Sequence, residues 1–307
     1  MKKLILPFLA VILAAASLVG CSGTPAASSS AVQSKAVVSA ASDTSAISGQ
    51  VTCSGSSALQ PLVQAAADSF QGKNQNVSVM VNAGGSGTGL QNVSDKTVDI
   101  GDSDIFAEEK LDSAKASALE DHIVCVVGVA AVVNPKVDVS NVTKRQLLDI
   151  FTGKTKNWKE LGGKDQKIVI INRPVSSGTR ALFKKYALDG KDEAKGVALT
   201  EDNSGILKQN VTQTPGAIAY LAFSYLTDNT VKSLSIEGVK PTYGNIYSGK
   251  YGVWGYEHMY TYGKATGAAK AFLDYIQGPD CEKIIAEKGY GLSQKMTVKR
   301  SAPSAKQ

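Results

Sequence analysis

The sequence predicts an α/β fold with two lobes. Short apolar runs rich in β-branched residues alternate along the chain with stretches whose apolar residues have helical spacing, which is typical of layered strands and helices. Ordinary globular composition extends from Val51 to about Thr297. These roughly 250 residues exceed what one hydrophobic core usually accommodates. Three of the predicted strands also lead into helices through turns rich in serine, threonine and glycine.

The first of these turns contains Ser56 and Ser57. It follows a short apolar strand that starts near Val51 and precedes a stretch with apolar residues on one helical face. Pro61 suits the first turn of that helix, because the N–H that proline lacks would have no partner there. The two serines are therefore predicted to lie at a helix N-terminus.

The second turn is the glycine-rich segment Gly84–Gly89, which follows a strand and includes Ser86. Glycine at this density lets the backbone approach a bound group closely. The segment lacks the Lys-Ser/Thr ending of a phosphate-binding P-loop, and Leu90 stands where a dinucleotide-binding motif requires glycine. Thr88 occupies the position of the last glycine in a hydrolase nucleophile elbow. The turn thus has no nucleotide-binding or hydrolase signature.

The third turn, Arg173–Arg180, joins the strand Ile168–Asn172 to a predicted helix that ends near Leu188. A helix N-terminus offers unpaired N–H groups and the positive end of the helix dipole, and here Ser177 and Thr179 add hydroxyl donors. The two arginines add guanidinium groups, so the turn has the chemistry of an oxyanion site. The alternative is that Ser177 only caps the helix and the arginines are solvated.

Asp104 ends a brief strand and admits two interpretations. It could cap the turn before a short helix around Glu108–Lys110, as aspartate often does. Beside an anion site, its carboxylate would repel a bare dianion but accept a hydrogen bond from a protonated oxyanion. Phosphate carries such a proton at neutral pH and sulfate does not, so the second interpretation predicts a preference for phosphate.

The residues give little support for catalysis or a metal site. His122 and His258 are the two histidines, and they show neither zinc-ligand spacing nor a partner for a catalytic triad. Cys53, Cys125 and Cys281 can form at most one disulfide, with the pairing open. The apolar runs around Cys53 and Cys125 favour burial as small hydrophobic residues.

The N-terminus has the order of a secretory signal, with a basic start, an apolar run and small residues before Cys21. The segment 1–20 is therefore predicted to be a signal peptide. Leu18–Cys21 resembles a bacterial lipobox, which predicts lipid on Cys21; the alternative is an ordinary signal peptide followed by a stray cysteine. Residues 21–50 are predicted to be a disordered Ser/Ala-rich tether, and residues 299–307 a flexible tail. The formal net charge of +6 does not predict a nucleic-acid partner.

Five segments, in this order along the chain, closely resemble the phosphate-binding proteins of bacterial phosphate-specific ABC importers. They are Gly55–Leu62, Gly85–Gly89, Asp99–Asp104, Gln146–Gly153 with Asn157–Trp158, and Arg173 with Ser177–Thr179. The likeness covers nearly all of residues 51–296. It implies a type II periplasmic-binding-protein fold, in which each of two lobes is a mixed sheet flanked by helices and phosphate binds in the cleft between them.

By this resemblance, lobe I comprises residues 51–127 and 255–298, and lobe II comprises residues 128–254. The implied phosphate-binding residues are Ser57, Ala58, Ser86, Asp104, Arg173, Ser177, Gly178 and Thr179. No cofactor or metal is implied. The chain departs from the family at Val175, where members commonly have an acid that orients the binding arginine. Either another carboxylate does this, or Arg173 is held less firmly.

The resemblance implies a monomeric, lipid-anchored receptor outside the cytoplasm that performs no chemistry. It would deliver inorganic phosphate to the permease and ATPase subunits of an ABC importer. Another tetrahedral oxyanion, such as sulfate, molybdate or phosphonate, is the alternative ligand. A phosphatase that uses a serine of the same turns is a further alternative, but it requires an activating base or metal that the sequence does not indicate.

Overall fold

The computed structural model describes residues 47–196 and 199–303. The predicted signal peptide, Cys21 and most of the predicted tether lie outside these residues. The first strand begins at Gly49, so the predicted tether boundary at residue 50 lies within this strand. Gly49 and Gln50 pair with the neighbouring strand from Val77 onwards, which fixes their backbone despite their polar composition.

The strands are short except for two long ones near the middle of the sheet. In chain order they are β1 (Gly49–Gly55), β2 (Val77–Ala83), β3 (Ile100–Ser103), β4 (Leu119–Val133), β5 (Asn141–Val142), β6 (Val169–Asn172), β7 (Leu199–Thr200), β8 (Ala217–Ala222), β9 (Lys232–Ser233), β10 (Ser235–Ile236) and β11 (Trp254–Tyr262).

The helices follow the predicted start and stop signals. They are α1 (Gln60–Lys73), α2 (Ser86–Ser94), α3 (Ser113–Ser117), α4 (Lys144–Phe151), α5 (Gly178–Ala187), α6 (Ser204–Gln213), α7 (Tyr243–Tyr247), α8 (Gly267–Gln277) and α9 (Pro279–Glu287). Pro61 lies in the first turn of α1, and Thr143 and Gln146 form a capping box at the start of α4. Short 3-10 helices cover Ala107–Glu109, Trp158–Leu161, Phe223–Tyr225 and Ser293–Lys295.

The strands form a mixed sheet, which confirms the predicted α/β fold class. Its order is β2-β1-β3-β11-β4-β8-β6-β7, with β9 also paired to β4. Strand β1 is parallel to β2 and β3, whereas β11 is antiparallel to both β3 and β4. On the other side of β4, β8 is antiparallel to β4 and parallel to β6. Strands β5 and β10 form a separate parallel pair.

Strand β4 links the two ends of this sheet. Its first part pairs with β11 from Leu119 to Gly128, and its last part pairs with β8 from Val129 to Val133. The strand begins four residues before the predicted start at Ile123. The additional residues are partly exposed and lack the apolar run of the buried part, because this end lies at the edge of the fold.

Two hydrophobic clusters lie on the two ends of the sheet. One packs β1 against α1, α8 and α9, with Phe70 against Phe272. The other packs β4 and β8 against α4 and α5, where the Phe183 and Tyr220 rings stack with centroids 4.3 Å apart. Trp158 is buried in the second cluster and donates from Nε1 to the backbone oxygen of Gly216 at 3.0 Å. Trp158 therefore has the packing role that is usual for tryptophan.

Three local expectations need correction. Helix α2 begins at Ser86, so the glycine-rich turn forms the first part of the helix and does not precede it. The strand predicted over Val231–Ile236 is divided into the two-residue strands β9 and β10. The start of the predicted flexible tail is anchored, because the Arg300 guanidinium lies between the rings of Tyr186 and Trp254.

The three cysteines of the described region, Cys53, Cys125 and Cys281, are buried and form no disulfide with one another. Burial raises the pKa of each thiol, most clearly for Cys53 and Cys125. The prediction that Cys53 and Cys125 act as small hydrophobic residues is confirmed.

Candidate functional site

Asp104 follows the last residue of β3 and is buried. Its carboxylate accepts hydrogen bonds from Thr179 Oγ1, at 2.7 Å, and from Ser56 Oγ. Its backbone N–H donates to Ser86 Oγ at 2.9 Å. Asp104 thus joins the three polar turns predicted from the sequence, and it is not merely a local cap.

Arg173 follows β6 and is 1% exposed. Its Nη1 donates to Ser204 Oγ at 2.8 Å, and its Nη2 donates to Ser57 Oγ at 2.9 Å. Nη2 also donates to the backbone oxygen of Asp202. Nε has no hydrogen-bond partner among the residues that the structure describes. The guanidinium is therefore held in place by neutral acceptors, and its Nε–H remains available to a further acceptor.

The carboxylate of Asp202 lies near the same guanidinium. Asp202 Oδ1 is 3.7 Å from Arg173 Nη2, which is an ion pair without a close hydrogen bond. Val175, which stands at the position of the missing acid, is 79% exposed. Of the two alternatives that this departure left open, the geometry favours the first: another carboxylate accompanies Arg173.

The N-terminus of α5 packs directly against the glycine-rich turn. Ser177 caps this helix by accepting from the Arg180 N–H at 3.2 Å. A Cβ added to Gly178 would collide with Ser86 Oγ, so close approach requires glycine here. Arg180 is not solvated as the alternative supposed: it donates to the backbone oxygen of Arg173 and lies 3.7 Å from the Glu193 carboxylate.

The backbone around Ser57 and Ala58 is also fixed by buried groups. The Ala58 N–H donates to Ser56 Oγ at 3.0 Å, and Tyr225 Oη donates to the Ser57 backbone oxygen at 2.8 Å. Tyr290 Oη donates to the Ala58 backbone oxygen. Burial raises the pKa of Tyr225 to about 12, so this phenol remains a neutral donor. The start of α1 is thereby positioned toward Asp104 and Arg173.

The structure brings all eight predicted binding residues together in one buried region. They are Ser57, Ala58, Ser86, Asp104, Arg173, Ser177, Gly178 and Thr179. They come from four separate segments, which meet where the carboxyl ends of β1, β3 and β6 approach one another, as expected for ligand sites in α/β sheets. That these residues contact a ligand remains a prediction.

Four further residues belong to this region, although sequence reasoning did not assign them. Ser56 is adjacent to Ser57 in the first polar turn, but nothing in the local sequence indicates which of the two serines bonds Asp104. Asp202 and Ser204 lie about 30 residues after Arg173 and gave no motif signal. Glu257 is completely buried within β11, where a lone acid in an aromatic strand was the available signal.

Two buried acids near Asp104 have raised pKa values. Burial, followed by the charge of Asp104, raises the pKa of Asp102 well above its usual range. Burial and then Asp104 also raise the pKa of Glu257, with a smaller effect from Asp102. Burial and the charge of Asp104 thus favour the neutral form of both carboxyl groups, which limits the negative charge around Asp104.

Contacts at the outer edge of this buried region hold α5 and the segment before it against the segments that follow β2 and β3. The Gly87 N–H donates to the Ser176 backbone oxygen at 2.8 Å, and Lys110 Nζ donates to the Val175 backbone oxygen at 3.2 Å. Lys185 Nζ lies 2.9 Å from Glu109 Oε2. These contacts cover the polar region from solvent, so its hydrogen bonds form in a dehydrated environment.

Within residues 47–196 and 199–303, no three His, Cys, Asp or Glu side chains are arranged to hold a metal ion. In the same part of the chain, no helix combines the length and apolar character needed to span a bilayer.

Comparison with known proteins identifies the family. The profile of the PBP superfamily domain matches residues 40–280. The phosphate-binding protein PstS of Bacillus subtilis is 57% identical over 256 residues, which cover 83% of this chain and 84% of the relative. The chain belongs to the PstS family of the PBP superfamily. PstS of Borreliella burgdorferi is 26% identical over 78% of this chain and 88% of its own length.

Solved structures of PstS-like proteins have the same fold. A phosphate ABC transporter substrate-binding protein from Clostridium perfringens, solved with bound phosphate, has a TM-score of 0.72 and 30% identity. The match covers 80% of this chain and 99% of that protein. An ABC-type phosphate transport receptor from Vibrio cholerae has a TM-score of 0.63 and 27% identity, over 79% of this chain and 99% of the receptor. The predicted periplasmic-binding-protein fold is confirmed.

Proposed function

We propose that this protein is a receptor for inorganic phosphate that supplies an ABC importer. The observation that carries the proposal is the buried arrangement of Arg173 and Asp104 with hydroxyl groups from several turns. Such a site offers donors to the oxygens of an anion and an acceptor to its proton. The relatives named PstS, and the Clostridium perfringens structure with bound phosphate, support the same ligand.

The proposed ligand contacts are the eight residues predicted from the sequence. Arg173 would supply charge-assisted hydrogen bonds, and the N–H groups of Gly178 and Thr179 would supply donors at the positive end of α5. Some of these groups bond to one another, for example Arg173 to Ser57. Binding would replace those contacts with contacts to phosphate oxygens, in an environment where charge-assisted bonds are strong.

Asp104 would select ligands that carry a proton. Its two carboxylate oxygens accept from Ser56 and Thr179, so the group functions as an acceptor. An oxyanion with an O–H can join this arrangement as a donor, whereas a fully deprotonated dianion would be repelled. Phosphate is therefore favoured over sulfate and molybdate.

We propose the lobe division expected from the family resemblance, with crossings near Val127 and Gly255. These two residues pair with each other across β4 and β11, so the crossings would lie side by side. Lobe I, residues 51–127 and 255–298, would carry Ser57, Ser86 and Asp104. Lobe II, residues 128–254, would carry Arg173 and the start of α5. Opening at the crossings would admit phosphate, and closure would assemble both sets of contacts.

We also propose that the chain performs no chemistry and works as a monomer outside the cytoplasm. Lipid on Cys21 would anchor it to the membrane through the tether. Its partners would be the permease and ATPase subunits of the phosphate importer. The family membership and the lipobox-like sequence before Cys21 support this placement.

Isothermal titration calorimetry of the purified full chain tests the ligand. We expect tight binding of phosphate and much weaker binding of sulfate at equal ionic strength. Tight sulfate binding with no response to phosphate would refute the specificity. Incubation with a chromogenic phosphate ester tests for turnover, and steady release of the chromophore would indicate a phosphatase instead of a receptor.

A further inference from the structure

Glu257 and Asp104 are neighbours at one end of a strand pair. Strands β11 and β3 are antiparallel, with His258 opposite Ser103 and Met259 opposite Asp102. His258 and Ser103 are the last pair of this ladder. Glu257 precedes His258 in β11, and Asp104 directly follows Ser103, so both lie at this end of the ladder, near Asp102.

Among the described residues, no cation contacts the carboxyl group of Glu257 to compensate an ionised carboxylate. Its side chain is 0% exposed, and neither carboxyl oxygen has a hydrogen-bond donor in the part of the chain described here. The titratable groups close enough to influence it, or to be influenced by it, are Asp102 of β3, Asp104 directly after β3, Cys125 of β4, Tyr225, Tyr243 of α7 and Tyr290. His258, next in the chain, projects from the other face and bonds Asp121 through Nδ1 at 2.8 Å.

A buried carboxylate without a cation or a hydrogen-bond donor is strongly disfavoured, and two nearby acids disfavour it further. Glu257 thus keeps its proton. A neutral carboxylic acid has one O–H to donate, and Asp104 is the acceptor near it. The pKa of Glu257 is raised by burial first and by Asp104 second, in agreement with this geometry.

We propose that Glu257 is a positioning residue for the phosphate site, which retains its proton and donates it in a hydrogen bond to Asp104. The pair then carries one negative charge instead of two. The functional consequence rests on the proposed phosphate site: the incoming oxyanion meets a single carboxylate, which Glu257, Ser56 and Thr179 hold as an oriented acceptor. The hydrogen bond itself does not rest on that function.

The proposed Glu257–Asp104 hydrogen bond joins two groups of the protein itself. Glu257 lies in β11 and Asp104 directly follows β3, the adjacent strand of the same sheet. The protonation of Glu257 can therefore be measured in the ligand-free protein, and that result does not depend on phosphate.

Infrared difference spectroscopy of the full chain near neutral pH tests the proton directly. The Glu257→Gln variant should lose a carbonyl stretching band of a protonated carboxyl group, and this band should shift in heavy water. Glu120→Gln, an exposed glutamate on β4, is the matched control and should remove only carboxylate bands. If Glu257→Gln also removes only carboxylate bands, Glu257 is ionised and the proposal is wrong.

Phosphate titration tests the positioning role. Glu257→Gln should bind phosphate within about threefold of the wild type, because its amide N–H can replace the O–H. Glu257→Met removes the donor and should weaken binding by about tenfold or more. An unchanged affinity in Glu257→Met, or an equal loss in both variants, would exclude the donor role. If Glu257→Met does not fold, the infrared result decides.

A wild-type protein that does not bind phosphate would refute the proposed function instead. The infrared band would then still report whether Glu257 is protonated, so the two failures are distinguishable.

Discussion

Arg173 and Asp104 are equally buried, yet their surroundings differ in the balance of donors and acceptors. Around Arg173, acceptors come from Ser57, Ser204 and the backbone of Asp202. Around Asp104, the additional buried groups are mostly acids, and several of their oxygens lack a donor within the described residues. Both Nη groups of Arg173 have protein acceptors, whereas several acid oxygens near Asp104 have no protein donor within the described residues. A ligand that both accepts and donates complements this difference.

Removing Arg173 should cause the largest loss of phosphate affinity. Arg173→Ala should weaken phosphate binding by about 1,000-fold or more, since deletion of a buried charged partner costs about 4 kcal/mol. Calorimetry measures the loss. Arg145→Ala, an exposed arginine on α4, is the matched control and should bind normally. Retained affinity in Arg173→Ala would mean that the anion binds elsewhere.

Replacing Asp104 should alter the selectivity between phosphate and sulfate. Asp104→Asn introduces N–H donors, so it should weaken phosphate binding by about 100-fold and strengthen sulfate binding by about tenfold. Competition between the two anions in calorimetry measures the ratio. Asp68→Asn changes an exposed aspartate on α1 and should leave the ratio as in the wild type. A ratio that Asp104→Asn does not change would remove Asp104 from selection.

A smaller loss of phosphate affinity is expected from a change at Asp202, whose carboxylate lies near Arg173. Asp202→Asn keeps the backbone oxygen but removes the carboxylate 3.7 Å from Arg173 that helps to orient its guanidinium, and the less firmly held arginine should lower phosphate affinity by about tenfold. Asp274→Asn, an exposed acid on α8, serves as control. Adding Val175→Asp to Asp202→Asn should restore part of the affinity. No loss in the single variant would show that the backbone oxygen suffices.

The last expected effect is on the stability of the folded state and its dependence on pH. The folded pKa of Glu257 is raised, so above its unfolded pKa the folded state binds one proton more than the unfolded state. Wild-type stability should therefore fall as pH rises from about 4.5 toward the folded pKa.

Glu257→Gln cannot titrate and should remove this contribution. Thermal unfolding near pH 8 should give a Tm higher than that of the wild type, by about 2–4 °C for each roughly 1 kcal/mol of stability that the raised pKa of Glu257 costs the wild type at this pH. Near pH 4 the two Tm values should converge. A difference that stays constant across this range would exclude ionisation of Glu257 as its cause.

The parts of the site within continuous segments could be predicted from the sequence. Serine and glycine after β-branched strands indicated the turns at Ser57, Ser86 and Ser177, because helix termini have unpaired N–H groups wherever they occur. Local chemistry also indicated Arg173 and Asp104 with alternatives left open, and the family resemblance then favoured their role in an anion site. Local chemistry was sufficient here, since each motif contains both its strand and its helix start.

Residues that the fold brings to the site from distant parts of the sequence could not be predicted in this way. Glu257 lies near Asp104 because β11 lies between β3 and β4, although about 150 residues separate them in sequence. Asp202 and Ser204 reach Arg173 from the start of α6. Arg300 was assigned to a flexible tail because its polar neighbours gave no sign of the two rings around it.

The anchoring of Arg300 has a practical consequence for the placement of affinity tags. Its guanidinium donates to the backbone oxygens of Gly252 and Trp254, at the start of the strand that would form one of the crossings. An affinity tag or fusion partner joined directly after Arg300 would pull on the backbone at Gly252 and Trp254. Tags are better placed beyond residue 303, so that the anchor remains undisturbed.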